Sequence, residues 1–129
     1  MMVVDTSALM AIVLDESAAE ECCLALEQER DSLISAATVA EALIVAERRG
    51  VEAEMRALID GLALEVVPVT AAMAREIAAA YRLFGKGVHP AGLNFGDCFA
   101  YALARDRACP LLFVGEDFAR TDVASALAG

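Results

Sequence analysis

Four carboxylates have types and positions that could do chemistry together: Asp5 in "VVDTSAL", Glu41 in "TVAEAL", Asp97 in "LNFGDCF" and Asp117 in "LLFVGEDF". Asp5 is the hardest to explain locally, because it follows directly on a buried-looking apolar run where an unpaired charge is costly. The other three have local uses. Thr38-x-x-Glu41 reads as a capping box, Asp97 in a first helical turn is favoured by the helix dipole, and Asp117 suits a turn or cap. Their convergence would change the physics. Two unit charges 4 Å apart repel by about 4 kcal/mol at an effective dielectric near 20, so clustered carboxylates keep protons or take a cation. An oxygen-only donor set without His or Cys suits a hard ion such as Mg²⁺ or Mn²⁺. Such sites activate water and stabilise charge on a transferring phosphoryl group, as nucleases and phosphatases require.

The elements that must position these residues alternate between short apolar runs and longer amphipathic ones, the pattern of an α/β fold with a parallel sheet. Strands are expected at Met2–Val4, Leu33–Ala36, Leu64–Val67 and Pro110–Val114, apolar enough to be covered on both faces. Helices are expected at Ser7–Leu14, Ser17–Glu29, Val39–Arg49, Val51–Gly61, Ala71–Phe84 and Phe95–Arg107. Ser17-x-x-Glu20 is read as a capping box, Gly50 as a helix stop and Thr70 as an N-cap. The loop "GKGVHPAGLN" breaks the helical pattern, and the tail from Ala119 fits a short helix or an edge strand. Open parallel sheets bind ligands beyond the carboxyl ends of their strands. The strand assignment puts Asp5, Glu41 and Asp117 at that edge. Asp97 follows a loop, so periodicity leaves its position open.

Length and composition bound the rest. The 129 residues fit a single domain spanning 1–129,. Hydrophobic residues make up 59%, yet the longest stretch without Asp, Glu, Lys or Arg is Gly87–Gly96. A bilayer-spanning helix needs about 20 mostly apolar residues, so no membrane association is expected. The N-terminus lacks the basic and apolar regions of a signal peptide, and a cytoplasmic location is expected. Cys22, Cys23, Cys98 and Cys109 have no zinc-ligand spacing and read as small hydrophobes,. The net charge of −10 argues against a protein that coats nucleic acid through its phosphates. It fits an acidic cation site or an acidic surface facing a basic partner.

"VVDTSAL", "ISAATVAEAL", "LNFGDCFAYALA" and "LLFVGEDFARTDV", taken in order over nearly the whole chain, resemble the PIN-domain ribonucleases of the VapC toxin type. The resemblance implies a PIN-like (Rossmann-like) three-layer α/β/α sandwich around a short central parallel sheet. It carries the family's acidic residues onto Asp5, Glu41, Asp97 and Asp117, with Asp5 and Asp97 as main metal ligands, and so supplies the place for Asp97 that periodicity left open. Ser7 matches the family's hydroxyl beside the first aspartate and would orient Asp5 from behind; Thr6 is the weaker candidate. The implied activity is that of an Mg²⁺- or Mn²⁺-dependent endoribonuclease toxin, hydrolysing RNA phosphodiesters by activated water. Implied partners are an RNA substrate, a small antitoxin with a basic tail, and a second copy in a homodimer. Ser17–Glu29, Val51–Gly61 and Ala71–Phe84 offer surfaces for that dimer.

Arg48, Arg49, Arg82, Lys86, Arg105, Arg107 and Arg120 are candidate phosphate contacts, though each reads more simply as ordinary surface charge. Asp15, Glu16, Glu116 and Asp122 are further acids near the expected edge, and Asp122 could supplement Asp117 or serve a cap or turn. Two other readings stand beside the nuclease. An aspartyl-phosphate phosphatase or receiver-type domain also places an Asp after a parallel strand, but the phosphatase wants D-x-D and both want a lysine near the phosphate, and Lys86, in a mid-chain loop, is the only lysine. A catalytically silent PIN-like domain that only binds a partner would keep its acids as relics.

Overall fold

Strands β1 (Met2–Val4), β2 (Ser32–Ser35), β3 (Glu65–Val67) and β4 (Leu111–Leu112) form one parallel sheet in the order β3-β2-β1-β4. The computed structural model describes residues 1–127. Val3 lies opposite Leu33 on one side and Leu111 on the other, which makes β1 an interior strand. Successive side chains of a strand point to opposite faces, and the two cores follow that rule. Val3, Leu33 and Leu111 join one apolar cluster, while Met2, Val4, Ile34 and Leu112 join the other.

Helices cover both faces, giving three layers. α5 (Ala71–Phe84) and α6 (Phe95–Asp106) supply Ile77, Ala80 and Leu103 to the first cluster. α1 (Thr6–Val13), α2 (Ala19–Gln28), α3 (Ala36–Arg48) and α4 (Glu52–Leu62) supply Leu9, Cys22, Ala42 and Met55 to the second. Alanine is frequent at these contacts because helices must approach the sheet closely. Cys22 and Cys98 are buried and all four cysteines are free, the apolar role their spacing implies. No helix among the described residues is long and apolar enough to cross a membrane.

Local signals are obeyed in some places and overridden in others. Thr70 caps α5 by accepting from Met73 N at 3.2 Å, and Gly50 takes a positive φ of 72° just past α3. Ser17-x-x-Glu20 does not form a capping box: α2 starts later, with Ala18 at its N-cap and no side-chain hydrogen bond there. Thr38-x-x-Glu41 does not cap either. α3 begins directly after β2, with Ser35 as N-cap, which leaves Thr38 buried inside the helix. The tail makes a 3₁₀ turn at Phe118–Arg120, the short-helix form, and then a single parallel bridge from Ser125 to Leu111 beside β4 that stops short of an edge strand.

From β1 the chain moves outward through β2 to β3, then crosses back to place β4 on the opposite side of β1. The connections therefore diverge between β1 and β4, where open α/β sheets form a crevice beyond the strand ends. α3 enters that edge through the buried Ser35, whose Oγ accepts from Ala37 N at 3.2 Å. Ser35→Ala is expected to lower the unfolding free energy by about 1 kcal/mol, the usual cost of an N-cap, in urea denaturation.

Candidate active site at the carboxyl edge of the sheet

Asp5 stands at the end of β1, with a side chain only 2% exposed. Its backbone N–H donates to Leu112 O of β4 at 3.0 Å. Its Oδ2 accepts from Ser7 N at 3.0 Å and from Ser7 Oγ at 2.7 Å, so Asp5 caps α1. Ser7 Oγ in turn accepts from Val114 N at 3.0 Å, which ties the aspartate to the segment leaving β4. One serine thus locks Asp5 across the divergence point of the sheet. The other carboxylate oxygen, Oδ1, is buried without any hydrogen-bond partner. A capping role accounts for Oδ2 and leaves Oδ1 unexplained.

Glu41 lies in the second turn of α3, deeper than a first-turn placement, because that helix starts at Ala36. Its position comes from contacts outside its own helix. Thr6 Oγ1 donates to Glu41 Oε1 at 2.6 Å. On the other side the carboxylate lies against Gly96, where an added Cβ would overlap Oε2 and stand 2.7 Å from Cδ. Thr6 therefore holds Glu41, while Ser7 holds Asp5. Gly96 was not singled out from sequence, although a glycine in the first turn of a helix, directly before an aspartate, is a poor helix former and signals a close approach.

Asp97 occupies a true capping box on α6. Asn94 Oδ1 accepts from Asp97 N at 2.8 Å, and Asp97 Oδ2 accepts from Asn94 N at 3.0 Å. The loop before it is closed by Lys86 N donating to Leu93 O and Leu93 N donating to Phe84 O, both at 2.9 Å. Its lone histidine accepts from Ala91 N through Nδ1 at 3.0 Å and packs on Phe84, so it serves the loop. Asp117 is exposed, begins the 3₁₀ turn without a side-chain cap bond, and is reached through Gly115 at φ 109°.

The four carboxylates are coupled electrostatically. Burial, against the pull of Ser7 and with smaller help from the charges of Asp97 and Glu41, pushes the Asp5 carboxyl up to about 7. Burial also raises Asp97 to about 6, opposed by the Asn94 hydrogen bond and helped by Glu41 and Asp117. Among the described residues no three His, Cys, Asp or Glu side chains already meet as a ligand cluster. Ser7 and Asn94 hold Asp5 and Asp97 from the same helix terminus, whereas Thr6 holds Glu41 from α1 across to α3. Asp122 does not join this group: it accepts from Tyr101 Oη and lies 3.8 Å from Arg105 Nη2. Of the candidate phosphate contacts, Arg107 lies 3.7 Å from Asp106, and Arg120 donates to Pro90 O at 3.3 Å.

The sequence profile described as "PIN domain" matches residues 2–124. The chain belongs to the PIN-domain family. Within it, Ribonuclease VapC30 of Mycobacterium tuberculosis (strain ATCC 25618 / H37Rv) is 46% identical over 127 residues, covering 96% of this chain and 97% of the relative. That likeness makes this a PIN domain of the VapC ribonuclease type. The crystal structure of M. tuberculosis VapC20, a sarcin-ricin loop cleaving toxin, superposes with a TM-score of 0.80 at 15% identity, covering 99% of this chain and all of that one. A toxin-antitoxin complex from Klebsiella pneumoniae gives 0.68 at 18% identity, covering 95% and 93%. At these identities the two structures show the fold alone. The fold they share with this PIN domain is the three-layer arrangement around the parallel sheet. Membership sets aside the aspartyl-phosphate reading of Asp5.

The buried charge has a measurable consequence for the PIN domain without metal. The unfolded chain releases the Asp5 proton near pH 3.8, whereas the folded chain keeps it to about pH 7. Wild-type stability therefore falls as pH rises through that window. In chelator, Asp5→Asn should be no more stable than wild type near pH 4. It should gain steadily towards pH ~7 and level off above, at a few kcal/mol at most. Denaturant titrations at several pH values measure the difference.

Proposed function

We propose that this chain is a divalent-cation-dependent endoribonuclease and the toxin of a toxin–antitoxin pair. The observation that carries the reading is the buried, unpartnered Oδ1 of Asp5 at the divergence point of the sheet, coupled to Asp97 and Glu41. An oxygen-only carboxylate set fits a hard cation, Mg²⁺ or Mn²⁺, better than a thiophilic metal. The VapC relative, a ribonuclease by name, supports the substrate class.

Asp5 and Asp97 would be the main ligands, with Glu41 and Asp117 contributing charge at the rim. When bound, the cation supplies stabilisation of the developing phosphoryl charge and activation of the attacking water. The protein's own part is positioning. Ser7 fixes which Asp5 oxygen is committed and leaves Oδ1 for the ligand role. Thr6 holds Glu41 by a hydrogen bond while Gly96 leaves it room, and Asn94 restrains Asp97 through Oδ2 alone. Such support keeps a metal site's geometry when its occupant changes.

The net charge of −10 makes a small antitoxin with a basic tail the fitting inhibitor, and the toxin-antitoxin complex of the same fold supports that partner. A homodimer would have apolar surface to bury: Tyr81 and Leu83 on α5 and Leu24 on α2 are all exposed. A cytoplasmic site of action suits an enzyme that cuts cellular RNA.

The test is cleavage of single-stranded RNA by purified protein with Mn²⁺ or Mg²⁺. Asp5→Asn and Asp97→Asn should each lose roughly 100-fold or more in kcat while remaining folded, and chelator should abolish wild-type cleavage. Full metal-dependent activity in either variant would falsify the assignment. A calorimetric Mn²⁺ titration separates out a silent relic, which would bind no cation through these carboxylates. Gly96→Ala should keep or raise the melting temperature, since alanine favours the helix. It should still lower kcat about 10-fold or more, because Glu41 must leave its place.

A further inference from the structure

Phe95 is the most exposed of the large hydrophobic side chains, at 71%, and it is not on a remote surface. It is the first residue of α6, next to Gly96, which carries the Glu41 contact, and two residues before Asp97. Its ring is not loose. Phe99, one turn on, meets it edge-to-face with centroids 4.9 Å apart and planes at 90°, and Phe99 is itself half-buried against the apolar cluster of α5 and α6. A braced aromatic ring is thus presented to solvent on the first turn of α6, the turn whose Gly96 packs on Glu41 and whose Asp97 is one of the carboxylates.

From this geometry we infer that Phe95 is a stacking platform for a nucleobase of single-stranded RNA, positioning the strand beside the carboxylate site. The inference rests on the ribonuclease reading above. The charge distribution favours it. Gripping RNA through its phosphates needs free Lys and Arg, whereas the chain carries 10 of them against 20 Asp and Glu. Several are engaged: Arg56 with Glu52, Arg105 with Asp122 and Arg107 with Asp106. Stacking on an uncharged ring needs no cation at the point of contact, and it accepts any base, because every base has a π-face. It also requires an unpaired base, so the platform selects single strands, loops and ends over duplex. Phe95 acts as a positioning residue: it would hold the base while other groups do the chemistry.

The test combines kinetics with an optical probe. The chain has no tryptophan, so Phe95→Trp places the sole indole at the platform. Phe95→Leu should raise KM for a single-stranded RNA roughly 10-fold, the size of one lost base stack, with kcat and melting temperature nearly unchanged. Phe95→Trp, which keeps a ring face, should restore KM. In stopped flow its fluorescence should be quenched by single-stranded RNA before turnover, and not by the same sequence as duplex. Three results would overturn the inference: an unchanged KM in Phe95→Leu, equal quenching by duplex, or a shift in oligomeric state without a change in KM. The last would make Phe95 a contact between copies. Wild-type protein that cleaves RNA alongside an unaffected Phe95→Leu defeats the platform alone. Wild-type protein inert with Mn²⁺ defeats the ribonuclease reading and the platform together.

Discussion

The arrangement of this edge of the molecule depends on one buried carboxylate. Asp5 is almost fully enclosed at the end of an interior strand, where water cannot solvate it, and an isolated charge in such a place is expensive. The fold compensates half of it. Ser7 donates twice to Oδ2, from backbone and hydroxyl, and its hydroxyl accepts from Val114 beyond β4. That chain of bonds joins β1, α1 and β4 at the point where the sheet's connections diverge. The uncompensated oxygen is what distinguishes the site from an ordinary helix cap, since a cap needs one acceptor and Asp5 has two.

The remaining carboxylates are held by the same economy of short-range contacts from different elements. Thr6, the neighbour of Asp5, reaches Glu41 on α3, and Gly96, the neighbour of Asp97, gives Glu41 room. Glu41 is therefore positioned by the residues adjacent to two other acids, Asp5 and Asp97. A change at one carboxylate is felt at the others through packing as well as charge, and residues in one network do not contribute additively. Glu41 is the hinge of this coupling, because it raises both the Asp5 and the Asp97 carboxyls.

Much of the framework could be read along the chain because it follows from periodicity. Met2–Val4 and Ala71–Phe84 were expected at the bounds they occupy, and the alternation of Leu33 with Ile34 across two cores is what a doubly covered strand requires. Errors arose where local patterns compete. Ser17 and Glu20 match a capping box, but Ala18 takes the N-cap and the pattern goes unused. Ser35–Thr38 is a run of four small residues, two of them alanine, so the change from β2 to α3 at Ser35 has no periodic signal, and a helix read from Val39 puts Glu41 a turn too near its start. Thr6, Gly96 and Phe95 act through contacts between elements far apart in sequence. No one-dimensional pattern encodes those contacts. Only the family resemblance located Asp97, because the loop before it carries no period at all.

On the proposed reading, the acidity of the whole chain and the state of Asp5 are one electrostatic problem. Removing protons from Asp5 and Asp97 near neutral pH adds charge to an edge that is already negative. Such an edge repels RNA phosphates, and more strongly at low salt. A divalent cation at these carboxylates would reverse the sign locally and leave the rest of the surface acidic. A basic peptide tail would answer the same deficit from outside, so cation and inhibitor would compete for one set of oxygens. Inhibition would then need no change of fold, only occupation of the charge that Asp5 leaves uncompensated.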